Sequence, residues 1–260
     1  SFGWRFINPK LEAVYGVDGM GVTAENLVDK YSISREDQDA FAFRSHMKAT
    51  AARDSGRLAQ EIIPVNIPRR KQDDLIFEHD EFIKPDTTVE ILEKLRPAFR
   101  KEGGSVTAGN SSGLNDGSAA LLLANESGLS SSGLTPLAQI ISSAVVGVEP
   151  RIMGIGPVHA SEIALKRAGI TFSDLDVIEL NEAFSAQTLA CIRAWGLDDD
   201  DSRINPNGGG ISIGHPLGVT GSRILLAAAR QLERTGGKYG LVTLCIGVGQ
   251  GYAVVIKNTQ

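Results

Sequence analysis

The second half of the chain shows the clearest pattern of apolar and polar positions. Short apolar runs suited to strands alternate with longer segments in which apolar residues recur at helical spacing. The pattern predicts strands over residues 139–148, 177–180, 241–245 and 252–256, and helices over residues 160–168, 183–195 and 222–232. Strands that alternate with helices are typical of a layered α/β domain with helices on both faces of the sheet.

The first half is less regular and contains more helix signals. Thr23 is a candidate cap for a helix that ends at Tyr31, and Ser34 begins a capped helix that Gly56 would stop. Pro64 interrupts a strand-like run and favours an edge strand or an extended arm. The remaining predictions are a charged irregular stretch over 69–86, a short helix over 89–95, a buried strand over 119–123 and a linker over 125–135. An irregular, helix-rich region therefore precedes the layered domain.

Composition limits the classes of function. The chain has 260 residues, 42% hydrophobic and 22% charged, which is ordinary for a globular protein with a sizeable core. A net charge of −5 gives no overall field that recruits nucleic acid or a membrane surface. Cys191 and Cys245 lie in different settings, so we expect free thiols in a reducing compartment, the cytoplasm. We recognise no signal peptide and no apolar run of membrane-spanning length, and we expect neither a nucleic-acid nor a membrane partner.

A glycine-rich segment, residues 205–218 (NPNGGGISIGHPLG), stands just before the last long helix pattern. It places His215 between Gly214 and Pro216, where glycine permits unusual backbone shapes and proline fixes its own φ. A nearby helix start carries partial positive charge, which favours neutral imidazole, the form that can accept a proton. A glycine-rich turn with an ordinary histidine is an equally good interpretation of this segment alone.

Three groups of reactive side chains stand at the ends of predicted elements. The segment 181–184 follows one strand, His215 follows the glycine-rich segment, and Cys245 ends a further strand just ahead of Gly247. In open α/β sheets, sites form at the carboxyl ends of strands, so we expect these groups to converge. A thiol and an imidazole can exchange protons, Asn181 can hold a water or a carbonyl, and the N–H of Gly247 can approach an oxyanion.

Structural roles compete with these assignments. A buried, inert Cys245 is common at the end of an apolar strand, and Asn181 and Glu182 could cap the following helix. Cys191 lies among apolar helix residues and is assigned to the core. We expect surface or capping roles for the other histidines, which are His46, His79 and His159. No spacing matches a metal site, and residues 247–251 are no dinucleotide fingerprint because a strand follows them.

Several strings resemble the thiolase family when they are taken together and in order. In the second half these are NEAF at 181–184, GGGISIGHPLG at 208–218 and CIGVGQG at 245–251. In the first half they are AEN at 24–26, SREDQDAFA at 34–42 and TAGNSSGLNDG at 107–117. The strings GWRFINP at 3–9 and YGVD at 15–18 are most similar to the β-ketoadipyl-CoA (3-oxoadipyl-CoA) thiolases within that family. The resemblance covers the whole chain.

The resemblance implies a function and a set of residues. The function is that of an acyl-CoA C-acyltransferase that transfers acyl groups between 3-oxoacyl-CoA and coenzyme A by a ping-pong route, in a degradative pathway. Coenzyme A and its thioester are substrates, no cofactor is covalently bound, no metal is used, and a homodimer or homotetramer is expected. The implied catalytic residues are His215, Cys245, Asn181 and Gly247. The implied contacts with coenzyme A and the acyl chain are Met20, Lys84, Phe99, Ala108, Ser112, Gly113, Met153, Ala183 and Phe184.

The resemblance also implies a departure and a division into domains. The nucleophilic cysteine of the family precedes its loop domain, and this chain begins after that point, so the chain alone is expected to be inactive. The implied parts are a loop domain over 1–106, a terminal piece of the N-terminal domain with a linker over 107–133, and a C-terminal domain over 134–260. Two alternatives remain open, a non-catalytic coenzyme A-binding or assembly module and a hydrolase with Cys245 as nucleophile.

Overall fold

A computed structural model describes residues 4–260, so Gly3, which opens one of the motifs above, lies outside the described residues. The helices are α1 (Pro9–Tyr15), α2 (Met20–Tyr31), α3 (Arg35–Asp54), α4 (Val89–Glu93), α5 (Glu126–Ser132), α6 (Gly156–Ala168), α7 (Ser185–Ala194), α8 (Gly210–Ile213) and α9 (Thr220–Thr235). The strands are β1 (Val65–Ile67), β2 (Leu75–Phe77), β3 (Ala138–Gly147), β4 (Val177–Leu180), β5 (Tyr239–Ile246) and β6 (Gln250–Asn258).

The second half is built on one four-stranded sheet with the strand order β3-β6-β5-β4. Strands β4 and β5 are parallel, while β6 runs antiparallel to both β5 and β3. The strands and helices predicted for this half all occur, with ends displaced by a few residues. The parallel pair β4 and β5 therefore ends on one edge of the sheet, and that edge carries Asn181 and Cys245.

Helices cover both faces of this sheet, which confirms the layered α/β/α prediction. On one face, Val242 and Val254 pack against Ile224 and Leu232 of α9. On the other face, Leu241, Ala253 and Val255 belong to the larger core that includes residues of α6 and α7. Neighbouring residues along a strand point to opposite faces, so a strand buried on both sides reads as a continuous apolar run.

The first half wraps around this domain as helices and loops, with one short hairpin. Helix α3 begins at the predicted cap, because the Ser34 hydroxyl accepts a hydrogen bond from the Asp37 amide at 3.0 Å. The predicted start of α2 is wrong: the helix already begins at Met20, and the Thr23 hydroxyl donates back to the Met20 carbonyl at 2.6 Å. A strand, β2, lies inside the stretch expected to be irregular and pairs with β1.

The predicted strand of the connecting segment is wrong, and the linker stretch contains a helix that the composition does not suggest. Residues 119–123 form no strand, and Leu122 and Leu123 are 79% and 71% exposed rather than buried. The Ser/Gly-rich stretch expected to be a linker contains helix α5, whose cap Asn125 accepts from the Gly128 amide at 2.8 Å. A short apolar run forms a buried strand only where a sheet offers it a partner, and a Ser-rich run is helical when its ends are capped.

Across residues 4–260, no helix combines the length and the apolar character needed to cross a bilayer.

Candidate functional site

His215 lies half-buried at the turn between α8 and α9, and three hydrogen bonds fix it. Its main-chain N–H donates to the Gly113 carbonyl at 2.9 Å, which ties the glycine-rich segment to the 107–113 segment. Its Nδ1 lies 2.7 Å from the Thr220 hydroxyl oxygen, and its Nε2 lies 3.4 Å from the Asn181 side-chain nitrogen. The structure thus brings together two of the predicted residues, Asn181 and His215.

The surroundings of His215 favour its neutral form. Burial, and to a lesser extent the charge of Arg223, lowers the pKa of His215 to about 4. The Asn181 side-chain oxygen is buried without a hydrogen-bond partner among the described residues. A neutral imidazole beside an amide with a free acceptor suits the binding of a water or a polar substrate group.

Cys245 lies at the end of β5 in a small apolar cluster. Its members include most of the residues predicted to contact the acyl thioester, namely Met20, Phe99, Met153, Ala183 and Phe184, together with Ala24, Val28 and Val106. The side chain of Cys245 is 8% exposed, and burial raises the pKa of its thiol to about 12. A thiol in these surroundings is protonated at neutral pH and is therefore a poor nucleophile.

Gly247 follows two residues after Cys245 and faces the start of α2. A Cβ built on Gly247 would lie 3.7 Å from the sulfur of Met20 and would meet no closer atom. Its main chain is half-exposed at the end of β5. Gly247 therefore lies beside Met20, a member of the apolar cluster.

The 107–113 segment connects the two groups. The Ser112 amide donates to the Ala183 carbonyl at 3.0 Å, and Ser111 forms an isolated bridge with Phe184. Gly113 supplies the carbonyl that holds His215, as described above, and a Cβ on it would overlap the ring of Phe82. The predicted residues Ser112 and Gly113 thus link the imidazole to the cluster around Cys245.

Two of the predicted contact residues lie outside the apolar cluster around Cys245. Lys84 and Ala108 are exposed, and none of the hydrogen bonds above reaches them. Lys84 stacks its ammonium 4.9 Å from the ring centroid of Phe82, and its amide donates to Nδ1 of His46 at 3.3 Å. The expected surface or capping role of His46 is therefore wrong, because the residue is 3% exposed and anchors the segment that carries Lys84.

Phe99 completes the predicted set and packs edge to face against Phe184, with ring centroids 6.0 Å apart. A Cβ on Gly21 would overlap the Phe99 ring, so glycine is required there for this packing. Cys191 is fully buried, as expected of a core residue, and burial raises the pKa of its thiol. Nowhere in the described part of the chain do three or more His, Cys, Asp or Glu side chains cluster as metal ligands.

Glu182 is a functional candidate that sequence reasoning treated only as a possible cap. Its carboxylate is 1% exposed and accepts hydrogen bonds from the Ser45 hydroxyl at 2.6 Å, the Asn205 side-chain amide at 2.8 Å and the Ile211 amide at 3.2 Å. A Cβ on Gly209 would overlap this carboxylate. Glu182 therefore holds the glycine-rich segment against β4 and against α3, and its position just after strand β4 was the available sequence signal.

Two family models match nearly the whole chain. The family model "Thiolase, N-terminal domain" matches residues 6–127, and the model "Thiolase, C-terminal domain" matches residues 134–258. The chain belongs to the thiolase family. The resemblance stated from the motifs is therefore confirmed at the level of family and fold.

Individual thiolases show how close the similarity is. The chain is 53% identical to a beta-ketoadipyl-CoA thiolase of Acinetobacter baylyi over 258 residues, which are 99% of this chain and 64% of that protein. It is 51% identical to a 3-oxoadipyl-CoA/3-oxo-5,6-dehydrosuberyl-CoA thiolase of Escherichia coli, with the same coverage of 99% and 64%. The crystal structure of the Bacillus anthracis acetyl-CoA acetyltransferase superposes with a TM-score of 0.89 at 43% identity and covers 98% of this chain and 66% of that chain. The chain thus spans about two thirds of the length of these thiolases.

Proposed function

We propose that this thiolase chain is part of an acyl-CoA C-acyltransferase that acts on 3-oxoacyl-CoA and coenzyme A. The observation that carries the proposal is the contact between Asn181 and His215, which the 107–113 segment ties to the apolar cluster around Cys245. His215 faces Asn181 at 3.4 Å, and Cys245 shares an apolar cluster with Met153 and Phe184. A neutral imidazole that can accept a proton, a protonated thiol that can give one and an apolar environment suit acyl transfer between thioesters.

The proposed roles follow the chemistry of each group. His215 takes the proton of a nucleophilic cysteine, which the resemblance places outside the 260 residues of this chain, and helps to bind the thioester oxygen. Cys245 moves the proton at the α-carbon of the acetyl-CoA fragment. Asn181 holds a water that completes one oxyanion hole, and the Gly247 amide contributes to another. Loss of one such donor costs about 10²–10³ in rate.

The proposed substrate is a 3-oxoacyl thioester of the β-ketoadipyl type in a degradative pathway, as the names of the similar proteins suggest. Coenzyme A would lie along Lys84, Phe99, Ala108, Ser112 and Gly113, with no covalently bound cofactor. We further propose a homodimer or homotetramer, and a cytoplasmic location that suits two free cysteines. The division into parts 1–106, 107–133 and 134–260 stays a prediction.

Coenzyme A binding to this chain, measured by titration calorimetry, is the first test. We expect saturable binding that Lys84→Ala weakens by about tenfold, the effect of losing one charged contact to a phosphate. Lys238→Ala is the matched control, since the Lys238 ammonium also lies 4.9 Å from an aromatic ring centroid, that of Tyr239, but away from the site. Absence of binding in the unmodified chain would contradict the proposed substrate.

Thiolysis of 3-oxoadipyl-CoA is the second test, on the protein expressed from its complete reading frame. We expect turnover that falls by about 10²-fold or more in Asn181→Ala and in Cys245→Ser, and that is unchanged in Cys191→Ala. Coenzyme A binding without any thiolysis would instead identify a non-catalytic module. Turnover by this chain alone, lost in Cys245→Ser, would identify Cys245 as a nucleophile and contradict the role assigned to it.

A further inference from the structure

The hydroxyl of Thr220 lies between the imidazole of His215 and the carbonyl of Pro216. Its oxygen is 2.7 Å from Nδ1 of His215 and 3.0 Å from the Pro216 carbonyl oxygen. Thr220 is fully buried at the first position of α9. Its hydroxyl therefore has no access to solvent, and these two neighbours are its hydrogen-bond partners in the described structure.

The position of Thr220 in its helix determines which way the hydroxyl points. Pro216 precedes Thr220 by four residues, and a helical threonine commonly donates its hydroxyl proton to the carbonyl four residues back. A hydroxyl has one proton to donate and two lone pairs that accept. Once the proton is given to Pro216, a lone pair of the oxygen faces Nδ1 of His215 and can only accept a hydrogen bond from it.

We infer that Thr220 is a positioning residue that holds neutral His215 in the tautomer protonated at Nδ1, so that the lone pair of Nε2 faces Asn181. The opposite side of the ring agrees with this assignment. The Asn181 side-chain nitrogen, a donor, lies 3.4 Å from Nε2, and a donor there requires an acceptor on the ring. Two contacts on two different elements, α9 and the end of β4, thus select the same tautomer.

The consequence for catalysis rests on the proposed function. With Nδ1 protonated, Nε2 can take the proton of a thiol: the S–H bond breaks, an N–H bond forms at Nε2, and a thiolate and an imidazolium result. The Nδ1–H bond to Thr220 persists through this step and is strengthened, because the donor has become charged. Thr220 therefore prepares the base before substrate arrives and stabilises the imidazolium afterwards.

The tautomer can be measured directly by two-bond ¹H–¹⁵N correlation spectra of the ¹⁵N-labelled chain at neutral pH, without substrate. His215→Gln identifies the signals of His215. We expect the pattern of an Nδ1–H tautomer in the unmodified chain and in Thr220→Ser, which keeps the hydroxyl. In Thr220→Val we expect the ratio of Nδ1–H to Nε2–H to fall by about fivefold to tenfold, the effect of losing one hydrogen bond.

An Nε2–H pattern in the unmodified chain overturns the inference whether or not Thr220→Val folds. An unchanged ratio in folded Thr220→Val also overturns it. Both NMR measurements are independent of turnover. Failure of the proposed acyl transfer would therefore leave the tautomer assignment intact, and failure of the tautomer assignment would leave the proposed acyl transfer intact. A loss of stability alone, without a change in tautomer, contradicts the positioning role and leaves Thr220 as a structural residue.

Discussion

The side-chain amide of Asn115 occupies the space in which a Cβ on Gly214 would lie. Gly214 has a φ of +101°, a conformation that side chains rarely adopt, and it directly precedes His215. The Asn115 side-chain oxygen is buried and has no hydrogen-bond partner among the described residues. The backbone conformation just before His215 therefore depends on glycine at position 214, because the Asn115 side chain leaves no room for a Cβ there.

Gly214→Ala should therefore destabilise the fold by about 2–3 kcal/mol, through strain at positive φ together with displacement of Asn115. Urea unfolding followed by circular dichroism gives the free energy. Gly218→Ala is the control, since Gly218 belongs to the same loop, is exposed and has no atom near its Cβ position. Equal losses in both variants would show that packing against Asn115 has no special role.

Glu182→Gln should cost about 2–3 kcal/mol of unfolding free energy. The carboxylate accepts three hydrogen bonds while fully buried, and the amide nitrogen of Gln would face one of those donors. Denaturant unfolding at neutral pH provides the measurement. Glu162→Gln removes the same charge at an exposed helix position and should change stability by less than about 0.5 kcal/mol.

Stability should fall as pH is lowered from about 6.5 toward 4, in part because of His215. Its folded-state pKa is about 4, below the ordinary value of 6.5, so over this range the unfolded chain binds a proton that the folded chain does not. His46 shares this shift, with a pKa lowered to about 4 mainly by burial.

His215→Gln should lose less stability than the unmodified chain between pH 7 and pH 5, by about 2 kcal/mol. Unfolding in urea at both pH values gives the comparison. An identical pH dependence in the two proteins would show that the imidazole titrates normally in the folded state.

The exposed Leu122 and Leu123 should promote self-association. Exposed apolar side chains next to one another in sequence favour contacts between molecules, and these two lie in a stretch without strand pairing. The double variant Leu122→Ser, Leu123→Ser should lower the mean mass measured by light scattering while leaving unfolding unchanged. Leu134→Ser, at another exposed leucine, is the control, and an equal effect there would argue against a specific patch.

The layered half of the fold was predictable because its signals are local. Strands β4 and β5 are mainly apolar runs of ordinary strand length. Helix α6 ends at Gly169 and helix α9 ends at Gly236, and both glycines have positive φ. The prediction of a buried strand at 119–123 was wrong because burial depends on a partner element, and the sequence of the run does not specify one. Helix α5 within the linker stretch was missed although its cap Asn125 was readable, because Ser and Gly favour turns over helices.

The sequence predicted several residues of the candidate site but not the hydrogen bonds between distant segments that hold them in place. Asn181 and His215 both follow predicted elements, which led us to expect them together, and the structure holds them 3.4 Å apart. The contact between Ser45 and Glu182 joins residues 137 positions apart in the chain, and no periodicity encodes such a pair. His46 was misjudged because its charged neighbours in sequence do not reveal which side of α3 is covered.

The Ser45–Glu182 contact also couples substitutions in α3 to the glycine-rich segment. A substitution in α3 that shifts Ser45 perturbs the carboxylate that anchors the Ile211 amide, four residues before His215. Helix α3 and the glycine-rich segment are therefore coupled through Glu182, and exchanging either with that of a distant homologue should succeed only when both sides of the contact are exchanged together.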